Sequence, residues 1–242
     1  MNWKQGVLAI SMSLALPITA LADGLDEGRI RELVLETIRA NPEIVMEAVA
    51  ILERKQAEAE NNALADILSA IRDRLEDDAN APVLGNPEGD VTVVEFFDYN
   101  CPYCRRAMEP VQGLLEADPN VRLVYREWPI LGEGSVFAAR AALAARKQGK
   151  YDEFHWALMA MNGRADEASV LRVASEIGLD VEQLRSDMEG SEIDEHIRNS
   201  AELAQALGFN GTPSFVIGNE LAPGLVQQPQ LMEMVESVRA QE

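Results

Sequence analysis

The hydrophobic pattern at the front of the chain is helical. Apolar residues recur at spacings of three and four, at Ile30, Leu33, Val34 and Ile38. This spacing is typical of one face of a helix. A second helix is expected from Pro42, because Asn41 is a favourable cap and proline fits the first helical position. Val45, Val49 and Leu52 continue its apolar face.

A narrow apolar seam follows the polar stretch at 53–62. Its members are spaced by four, three and four residues, as in a heptad repeat: Leu64, Leu68, Ile71 and Leu75. The sequence shows no obvious local partner for this seam. We therefore predict that residues 23–82 form a helical arm that packs on copies of itself. The alternative is an arm folded back on its own domain.

The pattern changes from helix to strand after residue 82. Residues 77–82 are typical of a linker and residues 85–90 of turns. Residues 91–97 are nearly all apolar, β-branched or aromatic, which predicts a strand buried on both faces, with Glu95 as the exception. A helix at 102–116 and a second strand at 121–127 complete a βαβ unit.

A helical block separates this unit from a final group of strands. Helices are expected at 137–148, 151–161, 168–177, 181–187 and 192–207. Strands at 214–217 and 220–222 and a helix at 229–240 close the chain. The order predicts an α/β fold, with a mixed sheet, helices on both faces and a helical insertion at about 130–207.

The first 22 residues have the pattern of a secretory signal. Lys4 supplies a positive start, residues 7–16 are apolar, and small residues lead to a cleavage site after Ala22. The apolar run is shorter than the roughly 20 residues of a membrane-spanning helix, which argues against an uncleaved anchor. The mature protein is therefore expected to be exported.

The composition is that of a strongly acidic globular protein. The 242 residues include 41 acidic and 21 basic side chains, for a net charge of −20, and 47% are hydrophobic. Nucleic acids and anionic membrane surfaces are poor partners for such a charge. We therefore expect a protein that does not bind nucleic acid.

The chain has two cysteines, Cys101 and Cys104. A disulfide between them closes a very small loop and restricts the unfolded chain little, so exchange chemistry is a better explanation than a structural bridge. Cys101 lies where a helix is expected to begin, and helix starts stabilise the thiolate. Cys104, one turn later, would resolve the mixed disulfide.

Half of a zinc site is the alternative for a Cys-x-x-Cys pair. The chain has His155 and His196 as its two histidines, far apart and on different expected helices, so we predict no metal site. No glycine fingerprint or phosphate loop indicates another enzyme class. A dithiol centre needs no bound cofactor.

Two segments carry a specific resemblance. VEFFDYNCPYC at 94–104 and GTPSF at 211–215 resemble the DsbA-like thioredoxin family, and the likeness covers about residues 84–242. The front segment, with its Asn41-Pro42-Glu43 helix start, is similar to the arm of the suppressor-of-copper-sensitivity C (ScsC-like) branch. Trimeric members of that branch act as disulfide isomerases in the periplasm.

The resemblance implies a thioredoxin-like fold over residues 83–242 and assigns roles to several residues. Pro213 would be a cis proline facing the cysteines, and Thr212 would offer backbone groups to an extended client. Glu95 would be a buried acid that accepts the proton of Cys104; the alternative is an acid at a water-accessible strand edge. Pro102 and Tyr103, between the cysteines, would contact clients.

Three functions remain open from the sequence. The first is a periplasmic isomerase or reductase of wrong disulfides, a homo-oligomer, a trimer by resemblance, kept reduced by a membrane thiol-disulfide electron donor. The second is a monomeric oxidase of exported cysteine-containing clients, reset by an electron acceptor. The third is a thiol-based copper-binding or chaperone module. The front helices and Thr212 before the proline, as in isomerases, favour the first. Tyr103 in place of the oxidase's histidine argues against strong oxidase activity.

Overall fold

The computed structural model describes residues 26–241. Its α-helices are α1 (Glu27–Ala40), α2 (Glu43–Glu76), α3 (Pro102–Ala117), α4 (Glu133–Ala145), α5 (Tyr151–Ala160), α6 (Glu167–Glu176), α7 (Val181–Asp187), α8 (Ser191–Ala206) and α9 (Gln228–Arg239). A short 3-10 helix, Arg146–Gln148, follows α4. Its strands are β1 (Val83–Gly85), β2 (Val91–Phe97), β3 (Val121–Glu127), β4 (Ser214–Ile217) and β5 (Glu220–Pro223).

The strands form one mixed sheet in the order β1-β3-β2-β4-β5. β2 and β3 run parallel, joined by the crossover helix α3, and the other pairs are antiparallel. The helical block α4–α8 lies between β3 and β4 in the chain. The α/β fold predicted from the sequence, with its helical insertion, is confirmed.

The two faces of β2 pack into different hydrophobic clusters. Val93 and Phe97 contribute to the larger cluster, which includes residues of α3, α5 and α9. Val94 and Phe96 contribute to the smaller cluster on the other face, with residues of α8. This alternation is the period of two expected for a strand, and it explains why residues 91–97 are almost continuously apolar.

Contacts divide the chain into two compact units, Met1–Ala57 and Glu58–Glu242, with the division inside α2. In the first unit, α1 has no buried residue, and α2 begins with exposed apolar side chains. The most exposed of these are Met46 and Leu52, at 69% and 66%. In this unit the apolar stripe predicted from the sequence lies on the surface of the single chain.

In the second unit the end of α2 packs on the sheet. Leu68 and Leu75 are fully buried in the smaller cluster beside Phe96, and Leu64 and Ile71 pack against it. The prediction that this seam joins copies of the chain is therefore wrong. The seam's partner is the sheet face that α8 leaves uncovered, which a search for local partners along the sequence does not find.

The expected linker at 77–82 is also packed. Arg126 donates to Asp78 at 2.9 Å, and Arg122 lies 3.2 Å from Asp77. The backbone N–H of Tyr125 donates to the carbonyl of Pro82 at 2.9 Å. Arg122 and Arg126 project from β3, so the segment is attached to that strand.

β1 was not predicted, because its three residues carry too little periodicity to stand out. The remaining strands and helices lie within a few residues of their predicted bounds. The exception is the helix expected from residue 137, which begins at Glu133 as α4.

The burial of Leu68 predicts a large effect on stability. Leu68→Ala should lower the free energy of unfolding by about 2–5 kcal/mol, because it leaves a cavity against the sheet. Ile67→Ala, at a neighbouring position that is 39% exposed, should cost less than about 1 kcal/mol. Urea denaturation of both variants measures the difference. Equal losses would show that the end of α2 is not part of this core.

Candidate active site

Cys101 lies at the start of α3, four residues after the end of β2. It is the N-cap residue of the helix, and Pro102 occupies the first turn. The structure describes both cysteines as free thiols, and Cys101 is 4% exposed. The strand, thiol, helix order predicted from the sequence places this sulfur at the positive end of the α3 dipole.

The surroundings of Cys101 favour its thiolate. A hydrogen bond from the Cys104 thiol is the largest cause that lowers the pKa of Cys101, to about 5. The Thr212 side chain and the backbone N–H groups of Tyr103 and Cys104 add to this effect, against the opposing effect of burial. In its neutral form the Cys101 thiol donates to the carbonyl of Thr212 at 3.1 Å.

Cys104 has the opposite environment. It lies one turn into α3 and is 1% exposed, and it belongs to the larger hydrophobic cluster, as Cys101 does, so the two sulfurs differ in their hydrogen bonds and neighbouring charges. Burial raises its pKa, and so do its hydrogen bond to Cys101 and the charge of Glu95. The two sulfurs are therefore chemically distinct: Cys101 is the thiolate at neutral pH, and Cys104 keeps its proton.

Glu95 is a buried acid at the centre of the sheet. It lies between Tyr125 of β3 and Phe215 of β4 in the strand register and is 3% exposed. Burial, followed by repulsion from Cys101, raises its pKa to about 8. The alternative of a water-accessible acid at a strand edge is excluded. Cys101 acts electrostatically on Glu95, and Glu95 acts on Cys104, so the acid lies within electrostatic reach of both sulfurs.

The loop before β4 forms the other side of the site. The Thr212–Pro213 peptide bond is cis, as the resemblance implied, and Pro213 is buried. Ser214 donates to the carbonyl of Gly211 at 2.8 Å across this loop. The loop thus brings Thr212 to Cys101 from 111 positions away in the chain.

The residues between the cysteines face solvent. Pro102 is exposed, and Tyr103 is 52% exposed. The guanidinium carbon of Arg106 lies 4.3 Å from the centre of the Tyr103 ring. The seven candidate site residues thus lie on three parts of the fold. Cys101, Pro102, Tyr103 and Cys104 lie at the start of α3, Glu95 lies on β2, and Thr212 and Pro213 lie in the loop before β4.

The sequence reasoning missed the residues that anchor the site to the helical insertion. The carboxylate of Asp98 accepts hydrogen bonds from the backbone N–H groups of Ile130 and Leu131 at 2.8 and 2.9 Å. The side chain of Asn100 donates to Ser135 at 3.1 Å and accepts from the N–H of Ala165 at 2.7 Å. The sequence did contain a signal for these residues, because Asp98 and Asn100 are polar side chains directly between the buried strand β2 and Cys101.

Both histidines are core residues. Nδ1 of His155 lies 3.1 Å from the Tyr99 hydroxyl, which is also 3.1 Å from Oε1 of Glu127. Nε2 of His196 accepts from the backbone N–H of Glu127 at 3.2 Å. Burial lowers the pKa of His155 to about 3 and that of His196 to about 4, so both rings are neutral.

Within residues 26–241, no three histidine, cysteine or acidic side chains are grouped as metal ligands. In the same range, no helix has the length and apolar character needed to cross a bilayer.

Solved structures with the same fold come from several bacteria. A thioredoxin-like oxidoreductase from Silicibacter pomeroyi is 71% identical, with a TM-score of 0.69 over 70% of this chain and 98% of that one. A linker-deletion mutant of Proteus mirabilis ScsC is 28% identical, with a TM-score of 0.69 over 93% and 100%. A periplasmic thioredoxin-like protein from Salmonella enterica serovar Typhimurium is 30% identical, with a TM-score of 0.62 over 71% and 97%.

Among curated proteins, the Na(+)/H(+) antiporter NhaA 3 of Salinispora tropica is 34% identical over 137 residues, 56% of this chain. The chain spans about a fifth of the length of that relative, 21%.

Two family models match the chain. The copper resistance protein ScsC N-terminal domain matches residues 26–59, and the DSBA-like thioredoxin domain matches residues 92–236. The DSBA-like match covers more than half of this chain, so the chain belongs to the DsbA-like thioredoxin family.

Proposed function

We propose that this protein exchanges disulfides with exported, cysteine-containing client proteins, with Cys101 as the nucleophile. The observation that carries the proposal is the opposite environment of the two sulfurs. The pKa of Cys101 is lowered to about 5 at the start of α3, whereas burial raises that of Cys104. A thiolate is the reactive form in exchange, so this pair has one attacking and one resolving sulfur.

The reaction balances without a bound cofactor. The Cys101 thiolate attacks one sulfur of a client disulfide, forming a mixed disulfide and releasing the other client sulfur as a thiolate. In isomerisation, a client thiolate later attacks the mixed disulfide and regenerates Cys101. In reduction, Cys104 attacks instead, which leaves the client with two thiols and the protein with a Cys101–Cys104 disulfide. Two electrons from a thiol donor at the membrane then restore the dithiol.

Glu95 is proposed as the base for resolution. Cys104 must lose its proton to attack, and it lies in an apolar cluster that disfavours the thiolate. With a pKa of about 8, the Glu95 carboxyl is ionised in part near neutral pH and mainly above that pKa, and its ionised form can accept this proton. Once protonated, Glu95 no longer repels the thiolate.

The client is proposed to lie in an extended form across the cis-proline loop. Thr212 is partly exposed, and its carbonyl is already within hydrogen-bond distance of Cys101. Pro213, the next residue of this loop, is buried. Pro102 and Tyr103, which follow Cys101 directly in the chain, provide further exposed surface.

We place the protein outside the cytoplasm, in the periplasm, with the signal segment removed after Ala22. The sequence pattern of the first 22 residues supports this, although that segment lies outside the described residues.

Isomerase or reductase activity remains our first choice, with assembly through the front of the arm. The surface of the first unit carries exposed apolar residues along α1 and the start of α2. Helices of this kind bury their apolar stripe by association. We propose a homo-oligomer, a trimer as in the ScsC-like branch, built by residues before Ala57.

A monomeric oxidase is the second candidate, and two observations favour it. The pKa of Cys101, about 5, shows a well stabilised thiolate without the histidine of the oxidase motif. A stable thiolate favours the reduced protein and makes its disulfide more oxidising. In addition, the seam from Leu64 to Leu75 is used within the chain and is not free to join copies.

The hydrogen bond from Cys104 predicts a change in the acidity of Cys101. Cys104→Ala should raise the pKa of Cys101 by about one unit or more, because it removes the largest stabilising interaction of the thiolate. Cys104→Ser should recover part of this effect, since its hydroxyl also donates, and should accumulate mixed disulfides with clients. The pH dependence of Cys101 alkylation measures the pKa. An unchanged value in Cys104→Ala would assign the stabilisation to the helix start instead.

The raised pKa of Glu95 predicts the pH profile of resolution. Below its pKa the carboxyl already holds a proton and cannot accept another, so the rate of Cys104 attack should rise with pH and level off above about 8. Glu95→Gln should slow this step by about tenfold or more and remove the plateau, with a smaller effect on mixed-disulfide formation. Stopped-flow kinetics separates the two steps. Glu109→Gln, at an exposed acid of α3, is the control, and equal slowing of both steps would give Glu95 a structural role only.

The exposed stripe of α2 predicts an assembly that depends on apolar contact. Val49→Glu combined with Leu52→Glu should produce smaller particles in light scattering. It should also lower activity on a scrambled protein about tenfold, because fewer active sites act on one client, while small-disulfide reduction persists. A deletion of residues up to 82 would not test assembly alone, because it would also remove Leu68 and Leu75 from the core. Met232→Glu, at an exposed apolar site of α9, is the control.

The same experiment decides between the two candidates. A wild-type protein that is monomeric at micromolar concentration, or a doubly substituted one that isomerises equally well, would make the oxidase the better assignment.

A further inference from the structure

Most arginines of this acidic chain are neutralised by carboxylates. Ion pairs of this kind are Arg72–Glu76, Arg74–Glu202, Arg126–Asp78, Arg140–Asp194, Arg172–Glu176, Arg185–Glu167 and Arg239–Asp90. Three arginines near the active site differ, as do a few in other parts of the described chain, among them Arg146 and Arg198. Within the part of the chain that the structure describes, Arg105, Arg106 and Arg164 have no acidic group at ion-pair distance.

Arg105 follows Cys104 directly in α3 and bonds only to backbone carbonyls. Its Nε donates to Tyr99 at 3.0 Å, and its Nη1 donates to Met161 at 2.8 Å and to Gly163 at 2.6 Å. Nη2 is buried without a hydrogen-bond partner. The guanidinium therefore keeps its full charge, and two of its five N–H donors are unused.

Arg106 is exposed on the next position of α3. Its guanidinium carbon lies 4.3 Å from the centre of the Tyr103 ring, between the two cysteines in sequence, and its Nε donates to the carbonyl of Pro102 at 3.4 Å. These contacts hold the cation beside the Cys-x-x-Cys segment and leave most of its N–H groups to solvent.

Arg164 reaches the same region from the helical insertion. It is exposed and donates to the carbonyl of Leu131 at 3.0 Å. The N–H of Leu131 in turn donates to Asp98, three residues before Cys101. The Asp98 carboxylate is fully engaged, because it also accepts from the N–H groups of Asn100 and Ile130.

Arg105 and Arg164 are close enough to repel each other. Burial lowers the pKa of Arg105 and the charge of Arg164 lowers it further, while the charge of Asp98 partly opposes both effects. The exposed acids Glu109 and Glu133 are near in sequence, but neither forms an ion pair with these arginines among the described residues. Unpaired like charges beside a reactive group are unfavourable for stability, which makes a role in binding the better explanation.

We propose that Arg105, Arg106 and Arg164 select client segments that carry Asp or Glu next to the cysteine attacked by Cys101. This proposal rests on the proposed exchange function. Arginine pairs well with carboxylates through parallel N–H donors, and the exposed guanidinium of Arg106 offers such donors beside the Cys-x-x-Cys segment. The free donors of Arg105 are buried, so this residue contributes positive charge and not a direct contact. The net charge of −20 repels acidic clients over the rest of the surface, so this positive cluster orients such a client with its cysteine at Cys101.

The experiment uses three short peptides that differ only in the two residues flanking one cysteine, which are Asp, Asn or Lys. Each peptide is presented as a mixed disulfide with a chromophoric thiol to the reduced, full chain. Stopped-flow absorbance gives the second-order rate constant of attack by Cys101. The ratio of the Asp rate to the Lys rate is the readout, because a change in thiolate reactivity affects both peptides equally.

We expect the Asp peptide to react about threefold to tenfold faster than the Lys peptide at about 0.15 M salt, where screening limits the effect to local charges. The ratio should approach one at about 1 M salt. Arg106→Gln should lower it by about twofold or more, and Arg106→Lys should restore most of it because the charge is kept. Arg198→Gln removes the same charge from an exposed position of α8 and should leave the ratio unchanged.

A ratio near one in the wild type, or an equal fall in Arg106→Gln and Arg198→Gln, overturns the proposal, since the cluster would then act only through net charge. An effect seen with glutathione disulfide but with none of the peptides also overturns it, because the partner would be a small anionic thiol. If Cys101 reacts with no peptide, the exchange function itself fails. Equal rate constants for all three peptides would contradict the selection of acidic clients but would leave the exchange function intact.

Discussion

Burial of strand β2 on both faces places the reactive groups of this protein. The strand alternates between two hydrophobic clusters, so Glu95 faces the same cluster as α3 while its neighbours Val94 and Phe96 face the other. The strand then ends at Phe97, and the next four residues lead the chain to the start of α3. The register of β2, its end at Phe97 and the turn that follows together place Cys101 at the start of α3. They also place Glu95 in the interior of the sheet.

The chemistry follows from a sharp gradient of polarity over one helical turn. Cys101 has N–H, O–H and S–H donors around its sulfur, whereas Cys104 and Glu95 are enclosed by apolar side chains. Hydrogen bonds favour the charged form of the first group, and burial favours the neutral form of the other two. A difference in reactivity between two identical side chains thus arises from their depth in one helix.

Helix α2 shows how one pattern can serve two purposes. Its front part and its end carry apolar residues at the same helical spacings, but in the structure the front is exposed and the end is covered by the sheet. What distinguishes them is the partner: Arg122 and Arg126 of β3 attach the segment after α2 to the sheet, which holds Leu68 and Leu75 against Phe96. The exposed front remains as the surface through which we propose assembly.

The sequence alone determined the α/β order and the bounds of nearly every element, and it singled out the two cysteines that we propose as the exchange pair. These properties depend on local periodicity, helix-start chemistry and spacing, which a linear pattern records directly. Tertiary structure decided where the seam of α2 packs, that residues 77–82 are fixed to β3, and that Thr212 lies against Cys101. It also decided which arginines lack a carboxylate. Each of these depends on contacts between residues far apart in the chain, for which the packing of side chains in space, and not their order, sets the energy.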